Sequence, residues 1–212
     1  MTIIHDCFVG DGKHLVEDID SSLCTHIMYS FVVLDASTYL MKAHDAWLDI
    51  DLGNFNKFVA LKGTNPNVKL LLALGGWNDS RTNKYSILLA DAAKRASFVT
   101  NAVSFIQQYG FDGLDLDYEY PVYDKVTTDR EGFTNLIKEL RVAFDPYGWE
   151  LTAAVSANKA VIDAGYDVPE IAKDLDAIHL MSYDMHGSWE ESVDHHSKLY
   201  GDAGDDLTTD VA

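Results

Sequence analysis

The chain has 212 residues, 47% of them hydrophobic, with a formal charge of −18 at pH 7, enough apolar content for one sizeable core. That charge disfavours nucleic acid and anionic lipid as partners and suits a neutral or cationic substrate. No run is long and apolar enough to span a membrane, and Met1 to Phe8 lacks the basic start and apolar stretch of a secretory signal.

In chain order, a weaker strand at Thr2 to Phe8 precedes a strong one at His26 to Leu34, rich in Ile, Tyr, Phe and Val. A helical pattern over Asn54 to Lys62 leads to the apolar run Lys69 to Leu74, which Gly75-Gly76 closes. Ala92 to Tyr109 carries Phe98, Val99, Val103 and Ile106 on one helical stripe. After a strand at Gly113 to Tyr118, Asp129 to Phe144 repeats the helical pattern with Phe133, Leu136, Ile137 and Leu140. Strands at Leu151 to Val155 and Ala177 to Tyr183 flank a short helix at Pro169 to Leu175. Beyond Tyr183 the chain is polar and Gly-rich, with no further convincing element.

This alternation predicts one α/β domain over residues 1–212, with repeated β/α units around a parallel sheet. The pattern alone leaves an open doubly wound sheet and a barrel both standing. In either, function sits at the carboxyl ends of the strands, where Gly75-Gly76-Trp77, Glu119 and Tyr183-Asp184 fall. No glycine-rich phosphate loop opens a helix, which argues against a dinucleotide or nucleotide fold.

The most informative stretch is Phe-Asp-Gly-Leu-Asp-Leu-Asp-Tyr-Glu-Tyr-Pro from Phe111 to Pro121. On an extended strand Asp115, Asp117 and Glu119 share one face, and Leu114, Leu116 and Tyr118 share the other. Each ionised pair would repel by about 2 to 3 kcal/mol at an effective dielectric near 20. At least one member is therefore expected to hold a proton, which is what general acid catalysis needs. A calcium loop would need polar spacers and a glycine at its sharp turn, and neither is present.

Cys7 and Cys24 lack any Cys-x-x-Cys spacing and so do not suggest zinc; a disulfide is slightly favoured over two buried thiols. His195-His196 beside Asp194 reads as a solvated loop. The alternative chemistry there is a metal-dependent hydrolase using Asp115, Asp117 and His195. Asn78-Asp79-Ser80 is a nominal glycosylation acceptor whose place just after a strand makes a bulky sugar awkward.

These motifs together resemble glycoside hydrolase family 18, and more narrowly the secreted chitinases of animals, especially arthropods. Asp112, Asp115, Asp117 and Glu119 match the family's Asp-x-x-Asp-x-Asp-x-Glu signature. Gly75-Gly76-Trp77, Leu151 to Ala157 and Met181 to Trp189 are similar to its other hallmark segments. The resemblance implies a (β/α)8 TIM barrel, here incomplete: about the first six β/α units, without the last two strands and the inserted α+β domain.

It also implies an endo-acting chitinase that cleaves β-1,4 bonds between N-acetylglucosamine units with retention, the substrate's acetamido group being the nucleophile. Glu119 would be general acid and base, Asp117 would stabilise the acetamido nitrogen, Asp115 would share its proton, and Tyr183 would bond the acetamido carbonyl. Gly76, Trp77, Tyr118, Met181, Asp184 and Trp189 would bind substrate, with Trp77 and Trp189 stacking on sugars; Asp112 would be structural. The family commonly has Trp where Tyr118 stands and Ser where Ala73 stands. The shortened amino end leaves open whether Cys7 pairs with Cys24. No metal or cofactor is implied, the partners being chitin and its oligosaccharides, without nucleic acid or membrane. The resemblance further implies an extracellular monomer. The alternatives are a silent chitin-binding lectin, which would usually have lost the glutamate, and an inert truncated product.

Overall fold

The computed structural model describes residues 3–4, 14–122, 126–191 and 193–200. Its strands are β1 (Ile3–Ile4), β2 (His26–Leu34), β3 (Met41–Ala43), β4 (Lys69–Gly75), β5 (Gly113–Asp117), β6 (Glu150–Ser156) and β7 (Ala177–Met181). Six run parallel in the order β1-β2-β4-β5-β6-β7, and β3 turns back to pair antiparallel with β2. The helices are α1 (Asn54–Val59), α2 (Trp77–Ser80), α3 (Lys84–Ala90), α4 (Ala92–Tyr109), α5 (Asp129–Phe144), α6 (Lys159–Gly165) and α7 (Val168–Ile171). Six parallel strands joined in sequence through helices make an incomplete (β/α)8 barrel.

Strand parity divides the side chains into two sets. On the helix side, Leu70, Leu72, Leu74, Leu114, Leu116, Leu151 and Ala153 join Phe98, Ile106, Phe133 and Ile137 in the main core. Met28, Leu71 and Ala73, with Phe31 against them, form a smaller cluster apart from that core. β4 is buried on both faces and reads as a nearly continuous apolar run, whereas the equally buried β5 alternates leucines on the helix side with Asp115 and Asp117 on the other.

Carboxylates set the register where strands begin. Asp112, just before β5, accepts the Leu70 N–H at 2.9 Å and Lys62 Nζ at 2.5 Å. Its own backbone donates to Leu70 O and accepts from Glu150 N, each at 2.8 Å. Asp176 repeats the device before β7, accepting Leu151 N and Arg141 Nη1 at 2.8 Å. Backbone donors that open the neighbouring strand thus gain partners.

Several elements differ from the sequence expectations. The helix beginning at Asn54 ends at Val59 and tightens into a 3₁₀ turn over Ala60–Gly63. The strand expected to reach Tyr118 stops at Asp117. β3, α2, α3 and α6 were not anticipated, each being too short to carry a clear periodicity. Ile3–Ile4, inside the weaker expected strand, pairs in parallel with Met28–Tyr29. Cys7 lies outside the described residues, and its pairing with Cys24 is not addressed by them. Among the described residues no strand pairs with the outer edge of β7, where Ile178 and Leu180 are exposed, and no helix is long and apolar enough to cross a membrane.

Candidate active site

Asp115 is almost completely buried and sits opposite Thr152 in the β5–β6 register. Its Oδ1 accepts the Thr152 hydroxyl at 2.5 Å, with His179 Nε2 of β7 at 3.6 Å. Burial raises its pKa, against the opposing pull of Thr152 and His179. Two residues on, Asp117 is 5% exposed. Burial first, then the charges of Glu119 and Asp115, push its carboxyl up to about 8. Its Oδ1 is buried and has no hydrogen-bond partner among the described residues.

Glu119 lies beyond the last ladder pair of β5 and is half-buried. Its pKa is raised by burial and by Asp184, while hydrogen bonds from the Tyr120 hydroxyl and the Trp77 backbone oppose the rise. Its backbone N–H donates to Ser80 Oγ at 3.0 Å.

The Gly75-Gly76 step carries the chain across the top of this acid row. Gly75 has φ 119°, and a Cβ there would lie 2.2 Å from the Asp117 carbonyl oxygen. Gly76 has φ 82°, and its missing Cβ would meet the Phe31 ring at 3.0 Å. Only glycine accepts both conditions at Gly75. Gly76 N–H then donates to Asp117 O at 2.8 Å, which ties the start of α2 to the end of β5.

On the opposite wall, Met181 ends β7 and is buried, and Tyr183 is half-exposed with its hydroxyl pKa raised by burial and by Asp117 and Glu119. Asp184 follows in a left-handed conformation, φ 54°, with His196 Nδ1 3.9 Å from its Oδ1. Two cavities meet at these residues. One, of about 690 Å³, is lined by Phe31, Gly76, Trp77, Asp117 and Lys84; the other, of about 370 Å³, by Tyr120, Ser156, Asn158 and Trp189. Glu119, Met181, Tyr183 and Asp184 line both. Trp77 stands on the first cavity and Trp189 on the second, both exposed as a stacking indole would be.

Tyr118 requires a correction. It does not face the cleft: it is buried on the helix side of the sheet, its ring stacked on Tyr85 with centroids 4.8 Å apart. Its hydroxyl donates to Asp129 Oδ2 at 3.0 Å. Strand parity, which aligns Tyr118 with Leu114 and Leu116, dictates this outcome. The metal alternative also lacks a geometric basis, since no group of three or more His, Cys, Asp or Glu among the described residues suits a metal ion. Ser80 of the nominal glycosylation acceptor is buried, and the neighbouring Asp79 accepts from Lys84, Tyr85 and the Leu34 N–H.

Thr152, His179, Tyr120, Ser80 and Phe31 were not singled out from sequence as residues of this site. Parity held a signal for two of them: Thr152 is paired in register with Asp115, and His179 lies two residues before Met181 on the same face of β7. Ser80 and Phe31 reach the site through the path of the chain, for which the sequence holds no periodic signal.

The profile of the family described as "Glycosyl hydrolases family 18" matches residues 7–212. The chain is 44% identical over 202 residues to "Probable chitinase 2" of Drosophila melanogaster, covering 93% of this chain and 42% of that protein. It is 43% identical to the "Endochitinase" of Manduca sexta, covering 90% of this chain and 35% of that protein. Catalytic domain 2 of the Ostrinia furnacalis Group II chitinase, solved as a mutant in complex with a penta-N-acetyl chitooligosaccharide, superposes with a TM-score of 0.92 at 46% identity, covering 96% of this chain and 54% of that one. The chain thus spans about half or less of the length of these relatives.

The acids line up on one face of the parallel sheet, the outermost half-buried at the junction of two cavities. The chain belongs to glycosyl hydrolases family 18.

Proposed function

We propose that this chain carries the acid machinery of a chitinase, cleaving β-1,4 links between N-acetylglucosamine units by a substrate-assisted, retaining reaction, as part of one catalytic domain over residues 1–212. The observation that carries this reading is Asp117: a buried carboxyl with a strongly raised pKa and one oxygen lacking a partner, beside Glu119. An acetamido N–H of a sugar in the larger cavity would give that oxygen its missing donor.

In the first step the acetamido carbonyl oxygen attacks the anomeric carbon, the glycosidic bond breaks, and Glu119 delivers its proton to the leaving oxygen. Asp117 stabilises the nitrogen as positive charge develops on the resulting oxazolinium ring, its own proton passing to Asp115. Thr152 and His179, both near Asp115 Oδ1, are set to accommodate that exchange. Tyr183 orients the acetamido carbonyl, while Asp184 and Met181 shape the sugar's seat. In the second step water attacks the anomeric carbon, Glu119 takes its proton, and the ring reopens with net retention.

The sugar bearing the acetamide lies on the cavity that Asp117 lines, and the leaving sugar on the side of Tyr120, Asn158 and Trp189. Trp77 and Trp189 would stack on sugars at either side. Endo-type action, a monomeric state and an extracellular location belong to the same reading, the first supported by the relative named "Endochitinase". Proton NMR of freshly cleaved chitooligosaccharide tests it: β-anomer as the first product is expected, and α-anomer, or no cleavage, would overturn the reading.

A further inference from the structure

β5 makes its last ladder pair at Asp117, yet the carboxyl completing the acid row is two residues further on. We propose that Ser80 is the positioning residue for Glu119, its buried hydroxyl standing in for the strand partner that the ladder no longer supplies. This deepens the chitinase reading and rests on it for its catalytic meaning.

Four observations support the assignment. Ser80 Oγ accepts the Glu119 N–H at 3.0 Å, although the two residues are 39 positions apart in sequence. Ser80 is 7% exposed, so solvent has little access to the accepting hydroxyl. Its own N–H donates to Gly76 O at 3.0 Å, which closes α2 as a single rigid turn. From the start of that turn the Trp77 backbone reaches the Glu119 carboxyl itself, so one short element grips both ends of the residue.

The turn is anchored in its turn by Asp79. That carboxylate accepts from Lys84, from the Tyr85 hydroxyl at 2.7 Å and from the Leu34 N–H at 3.1 Å, while Lys84 also donates to Leu34 O at 2.7 Å. The side chains of the Lys84–Asp79 pair are only 11% and 10% exposed. A buried, multiply bonded ion pair fixes geometry more surely than it adds stability. Here it ties α2 to the end of β2 and to α3, and the serine passes that rigidity on to Glu119. Displacing a catalytic carboxyl by about 1 Å can cost about 100-fold in rate, so a single hydroxyl at this point has leverage.

The test titrates the Glu119 side-chain carboxyl by ¹³C NMR in the chain as it stands, with Glu119→Gln assigning the resonance, in wild type, Ser80→Ala and Ser80→Thr. Ser80→Ala is expected to move the midpoint by about half a pH unit or more, and Ser80→Thr to restore it. On a chitooligosaccharide, Ser80→Ala is expected to lower kcat about tenfold with KM within about twofold, and Ser80→Thr to recover most of the loss. Where Ser80→Ala fails to fold, Ser80→Cys, near in size with a weakly accepting sulfur, gives the same comparison. A lowered Tm with an unmoved Glu119 titration would mark a merely structural serine and overturn the proposal. Wild type without turnover would remove the proposed function, and the titration would still decide the serine.

Discussion

Tyr85 and Tyr118 stack ring on ring at an interplanar angle of 15°, on the face of the sheet opposite the acid row. The Tyr118 hydroxyl shares Asp129 Oδ2 with Ser86, whose own bond to that oxygen is 2.7 Å. Tyr118→Phe should therefore cost about 1 to 2 kcal/mol in a urea titration, through a weakened buried network. KM for a chitooligosaccharide should stay unchanged. A raised KM at unchanged stability would put the ring back in the cleft.

Glu119→Gln removes the transferable proton while keeping size and polarity. Turnover should fall about 1000-fold or more, with chitooligosaccharide binding retained in calorimetry. Undiminished hydrolysis would take Glu119 out of the mechanism.

Asp117 links the site to folding. Its folded pKa of about 8 lies above the ordinary aspartate value of 3.8, so folding takes up a proton between those pH values. Its contribution is fully present below about 4, declines as pH rises through about 8, and then levels off. Asp117→Asn should flatten that decline, by a few kcal/mol between pH 5 and pH 9. Equal slopes in wild type and variant, by urea unfolding at pH 5, 7 and 9, would contradict the raised value.

Asp184 adds negative charge near Glu119 and helps hold its pKa up. Asp184→Asn should lower that pKa, moving the basic limb of the kcat/KM profile toward acid. A shift toward base would show that the carboxylate acts some other way.

Much of this fold was legible because long periodic elements announce themselves. β2, α4 and α5 fall where their apolar spacing put them, and the alternation of Asp115 and Asp117 with leucines reported the two faces of β5. The same rule argued against assigning Tyr118 to the cleft, a role the family resemblance had suggested. Short elements stayed hidden: α3 has seven residues and no side-chain cap, and β3 has three. Ser80, Asp79 and Lys84 were illegible for another reason. Their contacts with Glu119 and Leu34 span tens of positions, and only the folded path of the chain brings them together.

The β4–β5 register, with Ala73 opposite Asp115 and Gly75 opposite Asp117, has a further consequence. Because side chains alternate, a slip of one position would turn Leu114 and Leu116 into the cleft and drive the carboxylates among the phenylalanines of the outer layer. Any chain that survived quality control would have to pair these strands correctly first. Proofreading of the fold and competence for chemistry are thus vested in one row of backbone bonds.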